Sequence, residues 1–185
     1  LVDLVKDTMD QGGQILIFES SRRNAEATAS KLARVVSKRT EKSNRDQGQD
    51  QGRGPESSRL SDKVLATGES ETGKKLAECV RSGVAFHHAG LLSEQRAIVE
   101  SGFRSGEIKV IASTPTLAAG LNLPARRVLI RSYKRYEGSR GMVAIPVMEY
   151  RQMAGRAGRP GLDPRGESFL MAKSEPEMKD LMEHY

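Results

Sequence analysis

The sequence predicts an α/β domain built on a doubly wound, mostly parallel sheet flanked by helices. Short apolar runs, such as Ile15-Leu16-Ile17-Phe18 and Val110-Ile111-Ala112, have the length of buried strands. They alternate with segments whose apolar residues recur at helical spacing. A chain of 185 residues suffices for one domain with a buried core.

Leu1, Leu4, Val5 and Met9 fall at helical spacing, and Gly12-Gly13 ends that helix. Residues 14–18 read as a buried strand. Ser20-Ser21 offers an N-cap for a helix whose apolar stripe is Ala25, Ala29, Leu32, Ala33 and Val36. Residues 39–56 contain no Ala, Val, Ile, Leu, Met, aromatic or Cys residue. Such a stretch cannot bury enough surface to offset its ordering, so it is predicted to be a polar, mobile insertion within the domain. Helical pattern returns over 58–81, with a break near Gly68. A strand follows at 84–86, then a helix opened by Ser93 and carrying Ala97, Ile98 and Phe103. Residues 108–112 and 127–130 are two more strands. Gly138 and Gly141 punctuate a hairpin within 132–147. The spacing predicts a helix over 147–159, stopped by Pro160-Gly161. A last strand at 168–172 and a helix from Glu175 complete the pattern. In such sheets ligands sit at the carboxyl ends of strands.

The net charge is +6 and the pI about 9.6, a modest bias towards anionic partners. Its distribution says more. Arg126, Arg127, Arg131, Lys134, Arg135 and Arg140 face a single acid, Glu137, and Tyr133 and Tyr136 are interleaved. Cys79 is the only cysteine, which fits an intracellular protein. His87 and His88 have no Cys/His cluster nearby, so no metal site is expected. No apolar stretch approaches the ~18 residues of a membrane span, so no membrane partner is expected, and no signal-peptide pattern opens the chain.

The strongest chemical signal is Gln152-Met-Ala-Gly155-Arg156-Ala-Gly158-Arg159-Pro160-Gly161. On the expected helix Gln152, Arg156 and Arg159 share one face. Two glycines inside a helix, each costing roughly 1 kcal/mol relative to Ala, imply close approach of the backbone to something. Two arginines on such a backbone suit a phosphate chain; a solvated basic face with glycines for packing is the alternative. This run resembles the sixth motif of superfamily 2 helicases. The resemblance implies that Arg156 and Arg159 reach from a second RecA-like (P-loop NTPase-type) domain to ATP on the first, as arginine fingers, with Gln152 lining the nucleotide.

Ser113-Thr114-Pro115-Thr116-Leu-Ala-Ala-Gly120-Leu-Asn122-Leu-Pro124 follows a buried strand. Pro115 suits a first helical turn, and Thr114 and Thr116 then stand near free backbone N–H groups. The run is similar to the family's fifth motif. Its threonines are thereby expected on the nucleic-acid backbone, and Gly120 and Asn122 on the nucleotide. Asn122 stands where many relatives have Asp, as is common in the Ski-like branch. Phe18-Glu-Ser20-Ser21-Arg22-Arg23 resembles the fourth motif, and Arg22 and Arg23 sit at the helix end where positive charge calls for an external anion. Phe86-His87-His88-Ala89-Gly90 resembles the segment that holds the nucleic-acid backbone between those motifs, implying contacts from His88, Ala89 and Gly90. The hairpin lies between the fifth and sixth motifs and matches the strand-separating hairpin of archaeal stalled-fork helicases. Tyr133 and Tyr136 would stack on bases, and Lys134 and Arg135 would meet phosphates; an ordinary basic surface hairpin is the alternative.

Gly68-x-x-x-x-Gly73-Lys74-Lys75 almost fits a phosphate-binding P-loop, but Lys75 offers no hydroxyl for magnesium and no buried strand precedes it. With no P-loop and no magnesium-binding carboxylate strand, the fragment alone is expected to be inactive. ATP and Mg2+ would be held mainly by an absent first domain. The resemblance is thus to the second motor domain of a Ski-like helicase, closest to the archaeal stalled-fork, Holliday-junction-migration type. It implies 3′–5′ unwinding of single-stranded or forked DNA in repair, by a monomer working in the cytoplasm at the nucleoid. The expected partners are the first RecA-like domain and accessory domains of the same chain. An RNA helicase of that branch stays open, because motor motifs grip phosphates and not bases. So does a non-catalytic nucleic-acid-binding module.

Overall fold

The computed structural model describes residues 1–46, 55–115 and 123–185. Helix α1 (Val2–Asp10) leads through Gly12-Gly13 into β1 (Ile15–Phe18). The hydroxyl of Ser21 accepts from the amide of Asn24 (3.2 Å) and caps α2 (Arg22–Asp46), whose stripe of Ala25, Ala29, Leu32, Ala33 and Val36 is buried as expected. Helices α3 (Pro55–Ala66) and α4 (Glu71–Val80) follow, then β2 (Val84–His87), α5 (Ser93–Arg104), β3 (Val110–Ser113) and β4 (Arg127–Ile130). A small hairpin, β5 (Lys134–Tyr136) and β6 (Met142–Ala144), precedes α6 (Val147–Ala154), β7 (Glu167–Leu170) and α7 (Glu175–His184).

The five long strands lie in the order β2-β3-β1-β4-β7, all parallel. Ile15 faces Val110 on one side and Arg127 on the other. Every residue of β1 to β4 is buried, as a sheet covered on both faces requires. Strand β7 is the half-exposed edge. Phe18, Phe86 and Phe103 join the strand aliphatics in one continuous core.

Three expectations are corrected. The helix over 147–159 ends at Ala154. Gly155 closes it, and the following residues turn away to bridge Ala157 with Ala125 in parallel. Helix α2 runs through residue 46 and α3 begins at Pro55, so both ends of the polar 39–56 stretch are helical, while 47–54 lie outside the described residues. Ala97 is exposed, and Val99 and Gly102 take its place in the buried face of α5. The near-P-loop lacks the strand that a phosphate-binding loop follows, since helix α3 precedes Gly68, and the N–H of Gly73 is taken by the hydroxyl of Ser70 at 3.0 Å.

Candidate nucleic-acid interface and arginine loop

The fold sorts the candidate residues onto opposite edges of the sheet. Parallel pairing brings the carboxyl ends of β2, β3 and β1 side by side, and with them His88-Ala89-Gly90, Thr114 and Ser20-Arg22. The amide of Thr114 donates to His87 O (3.3 Å) and that of Glu19 to Ser113 O (2.8 Å), continuing the ladder past the strands. Ser20 Oγ accepts from the side-chain amide of Asn24 at 3.1 Å. A Cβ on Gly90 would stand 3.2 Å from Arg22 Nη1, so the 88–90 turn and the start of α2 are neighbours. Arg22, Ala89 and Gly90 are exposed, and the first turn of α2 has no acidic residue. The result is a ridge of helix amides and cationic side chain on a rigid sheet, chemistry suited to phosphate. Thr116, Gly120 and Asn122 lie outside the described residues.

His88 does not present itself on this ridge as expected. It is 2% exposed. Its Nδ1 accepts from Gly90 N (3.1 Å), and its Nε2 donates to Glu26 Oε1 (3.2 Å). The side chain therefore shapes the turn from beneath, and Ala89 and Gly90 form the surface. His87 is buried beside Glu100, 3.0 Å from its carboxylate, and among the described residues its Nδ1 has no hydrogen-bond partner. Burial holds both imidazoles below their ordinary value, against the pull of Glu100 on His87 and of Glu26 on His88, while Arg96 and Arg22 push the same way as burial. The contacts are thus hydrogen bonds of neutral rings. A histidine buried neutral binds fewer protons folded than unfolded, so its stabilisation is whole above the unfolded value and is lost as the pH falls below about 6.5. The urea midpoint of the domain is expected to fall between pH 7.5 and 5.5, reporting a loss of unfolding free energy of at most about 1.4 kcal/mol per pH unit per histidine. A higher midpoint at pH 5.5 would show that the folded domain binds these protons more tightly than the unfolded chain, and would overturn the buried neutral rings.

At the amino edge the arginine loop is built from long-range bonds. Ala125 N donates to Arg156 O (2.9 Å) and Gly158 N to Ala125 O (2.6 Å), tying the loop to the entrance of β4. Gly158 adopts φ +98°, which L side chains rarely tolerate. Arg159 is anchored by three side-chain hydrogen bonds to two partners. Its Nε and Nη2 donate to the two oxygens of Asp163 (both 2.7 Å), and its Nη1 donates to Gln14 Oε1 (2.8 Å). Arg156 is half-buried within the turn, and Gln152 is exposed on α6. The three residues are close in the chain but do not share a helical face.

The basic run from Arg126 to Arg140 is mostly consumed inside the domain. Arg127 pairs with Asp7 and with Glu167 (2.6 Å), lowering both carboxyls below their ordinary range. Arg131 pairs with buried Glu19 at 2.7 Å. Arg135 is held by Glu137 (2.7 Å) and Glu149, so a phosphate would compete with two carboxylates for it. Tyr133 is half-buried, its hydroxyl donating to Glu177 at 2.7 Å, so it is not poised to stack. Lys134 remains exposed above the Tyr133 ring. Tyr136, 71% exposed, lies opposite Met142, 55% exposed, on the open face of the hairpin.

Gln14, Asp163, Glu26 and Gly166 matter to these sites and were not singled out by sequence reasoning. The Arg159/Asp163 spacing of four residues was the one local signal available.

The model for the helicase conserved C-terminal domain matches residues 61–161. Over 182 residues, 98% of the chain, the sequence is 54% identical to the ATP-dependent DNA helicase Hel308 of Methanocella arvoryzae, covering 23% of that protein. It is 46% identical over its whole length to Hel308 of Caldivirga maquilingensis and 48% to that of Pyrobaculum calidifontis, covering 24% and 25% of them. The chain spans about a quarter of the length of these relatives. Family match, parallel sheet and arginine loop agree on a RecA-like fold, and the chain belongs to the helicase conserved C-terminal domain family.

Proposed function

We propose that this chain is the second motor domain of an ATP-dependent 3′–5′ DNA helicase acting on stalled or branched forks, and that it works as a monomer inside the cell. The carrying observation is the separation of two phosphate-suited sites on one rigid sheet: the exposed Arg22–Gly90 ridge at the carboxyl edge and the arginine loop at the amino edge. On this reading Ser20, Arg22, Ala89, Gly90, Thr114 and Thr116 hold the single-strand backbone, and His88 supports them. Arg156, Arg159 and Gln152, with Gly120 and Asn122, meet ATP carried on the first RecA-like domain of the same polypeptide. The arginine loop fits a phosphate chain. A guanidinium has five N–H donors, and among the described residues Asp163 and Gln14 take three of Arg159's. ATP and Mg2+ supply the phosphoryl transfer; this domain supplies charge and position. On this reading the polar 39–56 stretch is an insertion within the domain.

The test is ATP hydrolysis by the full-length parent protein with and without single-stranded DNA. Stimulation by DNA is expected, and absence of hydrolysis would leave a binding module as the better account. The hairpin supplies a further prediction. Tyr136→Ala removes the exposed ring that would stack on a base, an interaction of about 1–3 kcal/mol per base. Unwinding of a forked duplex is expected to fall roughly tenfold, while hydrolysis on single strands stays at the parent rate. Equal losses in both assays would assign Tyr136 to the motor and not to strand separation.

A further inference from the structure

Asp163 stands out among the carboxylates because it is spent entirely on one arginine. Its side chain is 2% exposed, whereas an ordinary ion pair four residues apart lies in water and contributes little. Oδ2 accepts from both Nε (2.7 Å) and the backbone N (3.1 Å) of Arg159, and Oδ1 accepts from Nη2 (2.7 Å). The carboxylate thus fixes the turn and the plane of the guanidinium together. Gln14 fixes the other arm. It is buried, and its Nε2 donates to Phe103 O (2.6 Å) and Ile108 O (2.7 Å), so its Oε1 is obliged to face Arg159 Nη1 at 2.8 Å. Those two carbonyls belong to the segments that end α5 and precede β3, so the arginine is referred to the rigid amino edge of the sheet. Arg159 itself keeps 16% of its side chain exposed.

We propose that Asp163 and Gln14 are positioning residues: they clamp the Arg159 guanidinium in one pose, so that it meets a phosphate chain preformed and not by search. The inference rests on the reading of Arg159 as a phosphate-binding finger. The physical gain is preorganisation. A donor held in place before reaction needs no reorganisation at the moment charge develops, and a displacement of about 1 Å can cost about a hundredfold in rate.

The test is a double-mutant cycle in the full-length parent protein, with Asp163→Asn, Arg159→Ala and the pair, reading DNA-stimulated ATP hydrolysis and single-strand affinity. Asp163→Asn is expected to lower kcat about 10- to 100-fold, to move KM for ATP less than about threefold, and to leave DNA affinity unchanged. In the Arg159→Ala background the same substitution is expected to change kcat less than about twofold. Asp163→Glu keeps the buried ion pair while lengthening one arm, and carries the cycle alone if Asp163→Asn does not fold. Its loss is likewise expected only when Arg159 is present. Losses that multiply, or a parental kcat in a folded Asp163 variant, overturn the positioning role. If Arg159→Ala itself leaves hydrolysis intact, the finger reading falls, and the positioning role falls with it.

Discussion

In the full-length parent protein, Arg159→Ala is expected to lower DNA-stimulated ATP hydrolysis about a thousandfold or more, the scale on which an arginine finger acts in phosphoryl transfer. Arg156→Ala is expected to produce a loss of the same kind. Affinity for single-stranded DNA at fixed salt is expected to stay within a few-fold of the parent. The ridge at the carboxyl edge is separated from the arginine loop by a four-residue strand, roughly 10 Å or more, too far for the guanidinium to touch a DNA strand held there. The alanine variant alone would confound catalysis with folding. It strands the buried Asp163 carboxylate without its partner, and breaking a buried pair in that way costs about 3–5 kcal/mol. Arg159→Lys separates the two effects. A lysine keeps a positive charge for Asp163 but lacks the planar fork that serves Asp163, Gln14 and a phosphate at once. Hydrolysis by Arg159→Lys is expected to fall at least about a hundredfold with the melting temperature nearly held. Parental hydrolysis in that variant would sink the finger assignment, and loss of DNA binding in step with hydrolysis would place the loop at the nucleic acid instead.

What the sequence made legible, and what it hid, follow from the range of the interactions involved. The strand β1 and the helix after it declare themselves locally: an apolar run, a serine N-cap and a stripe at helical spacing. The phosphate-suited ridge was legible too, because parallel pairing brings the residues after successive strands together whatever lies between. The arginine loop was misread because its shape is set by Ala125, more than 25 residues upstream of Ala157. Two glycines within four residues mark the helix end, but a local pattern cannot say which of them stops it. The basic run failed as a surface patch for a similar reason. Asp7, Glu149 and Glu167 arrive from three other elements to neutralise Arg127 and Arg135, and no window around Arg126–Arg140 contains the first or the last of them. His88 shows the reverse error: its neighbours do belong at the site, but a ring that both accepts from Gly90 and donates to Glu26 has no nitrogen left for a ligand.

Gly166→Ala is expected to destabilise the domain by about 3 kcal/mol or more, beyond the common range for one added methyl group. A Cβ at this position would lie 2.3 Å from both Ala157 C and Gly158 N, and 2.4 Å from Ala157 O. These are backbone atoms of the loop that carries Arg156 and Arg159, held in place by the bonds between Ala125, Arg156 and Gly158. No rotamer change relieves the clash; the loop must leave the entrance of β4 or β7 must shift in the sheet. Gly102 makes the contrast. A Cβ there meets Leu60 Cδ1 at 2.8 Å and Ile108 Cδ1 at 3.0 Å, the ends of flexible side chains that swing aside. Gly102→Ala is therefore expected to cost less than about 1.5 kcal/mol, with the helix propensity of alanine offsetting part of it. In urea unfolding the two variants should differ in midpoint at equal slope. In a thermal scan Gly166→Ala should melt roughly 6–12 °C below the parent chain, from the usual 2–4 °C per kcal/mol for a domain of this size. Parental stability in Gly166→Ala would mean that the loop is not packed against β7 in solution. Loss of stability together with loss of hydrolysis in the full-length protein would tie the arginine pair to this backbone contact, since the substitution removes neither guanidinium and touches only the chain that aims them.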